Sequence, residues 1–77
     1  MAALENTKPC VGFFKIRNYK VFDSVNSFCY YKNIDHHNDF NHRDNTFLVY
    51  LFSVEDVKRV WELTLNWNIF ECIFVNL

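Results

Sequence analysis

Thr46-Phe47-Leu48-Val49-Tyr50-Leu51-Phe52-Ser53-Val54-Glu55-Asp56-Val57-Lys58-Arg59-Val60-Trp61-Glu62-Leu63-Thr64 is the stretch in which one pattern gives way to another. Its first part, Phe47 to Phe52, is continuously apolar, which suits a central strand covered on both faces. After Ser53 the spacing changes. Val57, Val60, Trp61 and Thr64 recur every three or four residues, while Lys58, Arg59 and Glu62 fall on the opposite side. That is an amphipathic helix over about residues 54–66 with one face on a sheet. Ser53 offers a hydroxyl to the first free amides, and Glu55 and Asp56 stand in the electropositive first turn, with Asp56 three residues on from Ser53 as in a capping box.

Downstream, Trp67-Asn68 is short enough to be a connection, and Ile69 to Val75 alternates as a last strand, with Phe70, Cys72 and Phe74 opposite Ile69, Glu71, Ile73 and Val75. A strand, a helix and a strand in succession favour a crossover that leaves the two strands parallel. Upstream, Val11 to Arg17 puts Phe14 and Ile16 on one side and Phe13, Lys15 and Arg17 on the other, the pattern of a half-buried strand. Arg17 to Lys20 then reads as a turn, Val21-Phe22 as a return, and the aromatic segment Ser27 to Lys32 as a second strand with Phe28 and Tyr30 on one face. Residues 33–45 are mostly Asn, Asp and His and read as a long polar loop, of the kind that carries function in compact domains. Residues 1–9 lack periodicity and are expected to form a flexible arm. The expected fold is therefore α+β: one domain over 10–77, with a small mixed sheet of three to five strands and a single helix packed on one face.

Composition narrows the function. Seventy-seven residues allow one hydrophobic core, and a chain this short buries only about 60% of the surface its unfolded form exposes. Nine Phe, four Tyr and two Trp against one Gly and one Pro mean that large rings fill that core, and they argue against disorder. The net charge of -1 gives no general attraction to nucleic acid or anionic membrane. Cys10, Cys29 and Cys72 are odd in number and widely spaced, which fits packing thiols in a reducing compartment, so the expected location is cytoplasmic or nuclear. No run is apolar enough for a signal sequence or a spanning helix. Ten Asn with abundant Phe, Lys, Ile and Tyr is what A/T-rich codons produce, as in many phage and viral genomes.

Three features bear on function. A sheet with one helix leaves a face uncovered, and Phe13 and Tyr30 are expected on it; loops, a second copy of the chain or another protein would cover them. Lys8, Lys15, Arg17, Lys20 and Lys32 are opposed in their stretch only by Asp23 and are interleaved with rings, the combination that single-stranded nucleic acid requires. An ordinary solvated strand face over an aromatic core explains the same residues. Gly12-Phe13-Phe14 and Ile73-Phe74-Val75-Asn76-Leu77 echo the two sheet motifs of RNA-recognition domains, but in degenerate form and in the wrong chain order, so no family is assigned.

The third feature is Asp35-His36-His37-Asn38-Asp39-Phe40-Asn41-His42-Arg43-Asp44, which gathers all three histidines beside carboxylates. His36, His37, His42 and Asp39 are the types of side chain that ligate divalent metals, although the spacing matches no structural zinc pattern and adjacent histidines point apart. A solvated loop is the plainer account. No glycine-rich phosphate loop or nucleophile elbow is present, and a Cys29–His37 nucleophile–base pair has no spacing to support it, so no enzyme and no cofactor are expected.

The expected function is a small non-enzymatic accessory or inhibitor protein, of the phage or viral kind, that occupies a surface of a protein partner, with a homodimer as the specific form. Phe13, Lys15, Arg17 and Tyr30 are the candidate contact residues. The alternatives are a single-stranded nucleic-acid-binding module on the basic aromatic sheet face and a divalent-metal-binding protein built on the histidine loop; no membrane is expected as partner.

Overall fold

The computed structural model describes residues 10–65 and 72–76. The element order is β1 (Gly12–Ile16), α1 (Tyr19–Tyr31), β2 (His36–Asn41), β3 (Thr46–Leu51), α2 (Val54–Leu65) and β4 (Cys72–Asn76). The four strands form one sheet in the order β2-β3-β1-β4, and every neighbouring pair is antiparallel. This connectivity is the split β-α-β, or ferredoxin-like, arrangement.

The α+β class, the first strand, the central strand and the helix after Ser53 stand where the sequence puts them. Val57 Nα bonds to the Ser53 carbonyl and Asp56 Nα donates to Ser53 Oγ at 3.1 Å. The carboxylate of Asp56 does not close a capping box; it takes a 2.6 Å bond from Arg59 one turn on.

Three expectations are corrected. The sheet is antiparallel throughout, not mixed: β3 and β4 do run the same way, but β1 lies between them and pairs with both. Residues 19–31 are a helix, not a turn followed by a strand, so two helices and not one pack on the sheet. Asn18 caps the first, its Oδ1 accepting from Val21 Nα at 3.1 Å, and Val21, Phe22, Val25, Phe28 and Cys29 then fall at helical spacing on one face. At the other end Asn33 takes φ 56°, and bonds from Asn33 Nα to the Tyr30 carbonyl and from Ile34 Nα to the Cys29 carbonyl close the helix in a Schellman motif. Ile34, just past that turn, is buried against Cys29 in the core.

The third correction concerns the long polar loop, whose middle six residues are strand β2, paired residue for residue with β3 from His36↔Leu51 to Asn41↔Thr46. A four-residue connection joins them, with Arg43 Nα bonded to Asn41 Oδ1, Asn45 Nα to the Asn41 carbonyl, and Asn45 at φ 61°. Asn tolerates the left-handed region because its short polar side chain bonds locally.

Both helices lie on the same face of the sheet. Phe14 and Ile16 from β1, Val49 and Leu51 from β3, Val25 and Cys29 from α1, and Val57 and Val60 from α2 form one buried cluster. Phe22 stacks on Phe47 at 4.6 Å beside it, and Trp61 lies 6.3 Å from Phe14 while remaining 41% exposed. Among the described residues, no element covers the opposite face and no helix is long and apolar enough to cross a membrane. The expected arm at 1–9 and the connection at 67–68 lie outside the described residues, as do the first three residues of the expected last strand.

Candidate functional site

The open face of the sheet is laid out in rows by the strand register. His37, Tyr50 and Phe13 form one row, with Tyr50 paired to both neighbours; Asp39, Leu48 and Lys15 form the next, centred on Leu48. Alternation decides this. Phe13 and Lys15 stand between the buried Gly12, Phe14 and Ile16, and Leu48 and Tyr50 alternate with the buried Val49 and Leu51. In the first row the ring centroids of Phe13 and Tyr50 are 5.3 Å apart and those of His37 and Tyr50 are 5.9 Å apart. Partial burial raises the Tyr50 hydroxyl above its ordinary pKa, and the neighbouring Asp39 carboxylate adds to the effect.

One end of this face is closed by the β2–β3 connection. Asp44 accepts a 2.7 Å bond from Thr46 Oγ1 and forms a 3.0 Å ion pair with Lys15 Nζ. Those two contacts, the hydroxyl first, hold the Asp44 carboxyl below its usual range. Thr46 is fully buried beneath them. Lys15 is therefore already ion-paired within the chain, at a side chain about one-third exposed, and Asp39 adds a negative charge to the same row.

Of the four candidate contact residues, the structure brings together Phe13 and Lys15, two positions apart on one face of β1. Arg17 follows just beyond the strand and is exposed. Tyr30 is not on the sheet at all: it projects from the end of α1, 68% exposed, with its ring edge-on to His36 at 4.9 Å. Sequence reasoning missed Leu48 and Tyr50, because a continuous apolar strand reads as covered on both sides.

The histidines separate. His36 and His37 are consecutive in a strand and so face opposite sides of the sheet, and His42 sits in the connection with its ring edge-on to Phe40 at 4.7 Å. His36 Nδ1 donates to the Ile34 carbonyl at 2.8 Å, and its Nε2 lies 3.0 Å from Asn26 Oδ1 on α1. Among the described residues, no three His, Cys, Asp or Glu side chains converge as a metal site would require. Cys29 and His37 are likewise on different sides of the sheet. The Cys29 thiol is buried in the core, where desolvation, reinforced by Asp56, pushes its pKa up to about 11. An open depression lined by Cys29, Tyr30, Asn33, Ile34, Asp35 and His36 adjoins it.

No known protein family, curated protein or solved structure matches this chain.

Proposed function

We propose that this chain is a small, non-enzymatic accessory or inhibitor protein that binds another protein through the open face of its sheet. The observation that carries the reading is the pair Phe13 and Tyr50, half-buried rings 5.3 Å apart on the two central strands, with Leu48 in the adjoining row. Rings held rigidly by a sheet lose little conformational entropy on contact, and an aromatic anchor of this kind is what dominates protein interfaces. The charge around them favours protein over nucleic acid. Lys15 is already paired with Asp44, and Asp39 would face a phosphate backbone with like charge.

A second reading keeps one observation of its own. Neighbouring rings on the two central strands of a four-stranded sheet are a platform on which bases stack, and Arg17 stands exposed at the end of one of those strands. Fold alone does not decide between the two. We read the compartment as intracellular and reducing, because Cys10 and Cys29 are free thiols.

Photo-crosslinking tests the choice. A benzophenone amino acid in place of Tyr50, with a control in place of the 79% exposed Tyr31, is irradiated in an extract of the source cell. Protein adducts from position 50 and not from position 31 support the proposal; nucleic-acid adducts transfer the face to the second reading; no adduct from position 50 ends both.

A further inference from the structure

We infer that the protein partner of the open sheet face is a second copy of this chain, docked face to face about a two-fold axis that runs along β3. The inference rests on reading that face as a protein-binding surface, and what specifies the occupant is the order of charges across it. In the second row Asp39, Leu48 and Lys15 stand side by side on β2, β3 and β1, with Leu48 paired to both. The two opposite charges thus flank the central strand symmetrically.

An axis lying in the face along β3 reverses left and right while keeping each row at its own level. Strand β1 of one copy then lies over β2 of the other. Lys15 meets Asp39 of the partner subunit, Asp39 meets the partner's Lys15, and Leu48 and Tyr50 each meet their own equivalents. Phe13 comes over the partner subunit's His37. Every charge in the row finds its opposite, and the apolar side chains fall on the axis, the self-complementarity an isologous interface demands. Lys15 carries three N–H donors, so the bond to Asp44 leaves two for this contact. Shifting the axis to lie between β3 and β1 would put Lys15 over Leu48 and leave Asp39 without a cation, which costs free energy with nothing to offset it. Packed sheets about 10 Å apart leave room for a lysine to reach across.

The area sets the strength. The three strands that overlap, β2, β3 and β1, about 4.8 Å apart and each about five residues long at about 3.3 Å per residue, present about 240 Å² of projected face, well under the roughly 800 Å² per partner of a standard interface. The association is therefore reversible and concentration-dependent, a dimer in exchange with monomer.

A charge swap tests it. By sedimentation equilibrium of the purified chain, wild type should shift from monomer to dimer as concentration rises. Asp39→Lys alone sets two cations against each other across the interface and should weaken association by more than about tenfold. Lys15→Glu alone should do the same by setting two carboxylates against each other. Mixed one to one, the two variants pair every charge again and should form a heterodimer. A wild type that stays monomeric at every concentration, a dimer indifferent to Asp39→Lys, or a mixture that remains monomeric would overturn the inference. Should Lys15→Glu fail to fold once Asp44 loses its cation, the benzophenone at position 50 gives the second readout in purified protein. An adduct of twice the chain mass, joined through position 50 of both copies, supports the second copy. Its absence, together with adducts to a different protein in extract, overturns this inference while leaving the protein-binding reading intact; nucleic-acid adducts remove both.

Discussion

The imidazole of His36, the first residue of β2, lies 3.0 Å through Nε2 from Asn26 Oδ1 in the middle of α1, and the same oxygen accepts a 2.6 Å bond from Asn38 Nδ2. One amide thus ties the edge strand to the helix that covers it. Asn26→Ala removes the acceptor of the Asn38 amide and the polar neighbour of the His36 ring where they are partly buried, and should cost about 1–3 kcal/mol. Urea denaturation would measure it, and the sheet-face association should be unaffected in the folded variant.

Asn33 is the second point at which α1 is fastened. At φ 56° a β-branched side chain is strained, so Asn33→Val should lose about 1–2 kcal/mol. In a domain of this size that is a drop of about 4–8 °C in melting temperature for each kcal/mol. Asn33→Gly, which has no Cβ to strain, should be close to neutral or better. Equal losses in both variants would show that the asparagine side chain, and not the backbone geometry, matters there.

Leu51 is fully buried at the end of β3 and packs among residues from both helices and β1. Leu51→Ala should cost about 2–5 kcal/mol. Leu48→Ala, on the open face of the same strand, should cost far less in folding and should weaken association instead. Comparing the two by denaturation and by sedimentation separates the covered face from the open one.

Acid should loosen the β2–β3 connection. The Asp44 pKa is lowered by folding, so its contribution is present above the ordinary carboxylate range and disappears as pH falls through the folded value. Melting temperatures of wild type and Asp44→Asn should differ at neutral pH and converge in acid. A constant difference across the range would mean that the ionised carboxylate is not what Thr46 and Lys15 hold.

Cys29 behaves oppositely. Its thiol pKa rises from 9.0 to about 11 on folding, so the folded state retains a proton that the unfolded state gives up. The associated stability is whole below about pH 9 and is lost between about pH 9 and 11. In a Cys10→Ser, Cys72→Ser background, a thiol reagent near pH 8 should label Cys29 only at the rate at which the core opens. Rapid labelling of the native protein would contradict its burial.

Much of this fold is legible in the chain, and the part that misleads shows why. Ser53 announces α2 because a hydroxyl cap is followed by a clean three-and-four spacing. Asn18 announces α1 just as clearly, with Val21, Phe22, Val25, Phe28 and Cys29 behind it and Asn33 to end it. What hides that helix is Phe28-Cys29-Tyr30-Tyr31, in which aromatic residues of high strand propensity fill both faces of the last turn; tertiary packing of Phe28 and Cys29 overrides that local preference. Strand β2 is hidden for a different reason. As an edge strand it needs few apolar residues, and its polar side chains are what keep such an edge from pairing indiscriminately. The open face is half legible: Phe13 and Lys15 come from a strand with visible alternation, whereas Tyr50 and Leu48 belong to a run whose composition is apolar on both sides, and only the two helices lying together reveal which side is bare.

The order β2-β3-β1-β4 has a consequence for how this protein is made. Strand β1 is synthesised first, yet both its neighbours, β3 and β4, come from the later half of the chain, and β2 touches only β3. A nascent chain that has emerged as far as Asn45 holds two strands and a helix but no pair of strands able to hydrogen-bond to one another. Until Thr46 to Leu51 leaves the ribosome there is no sheet, and the chain must keep its exposed aromatic and aliphatic side chains out of aggregates while it waits.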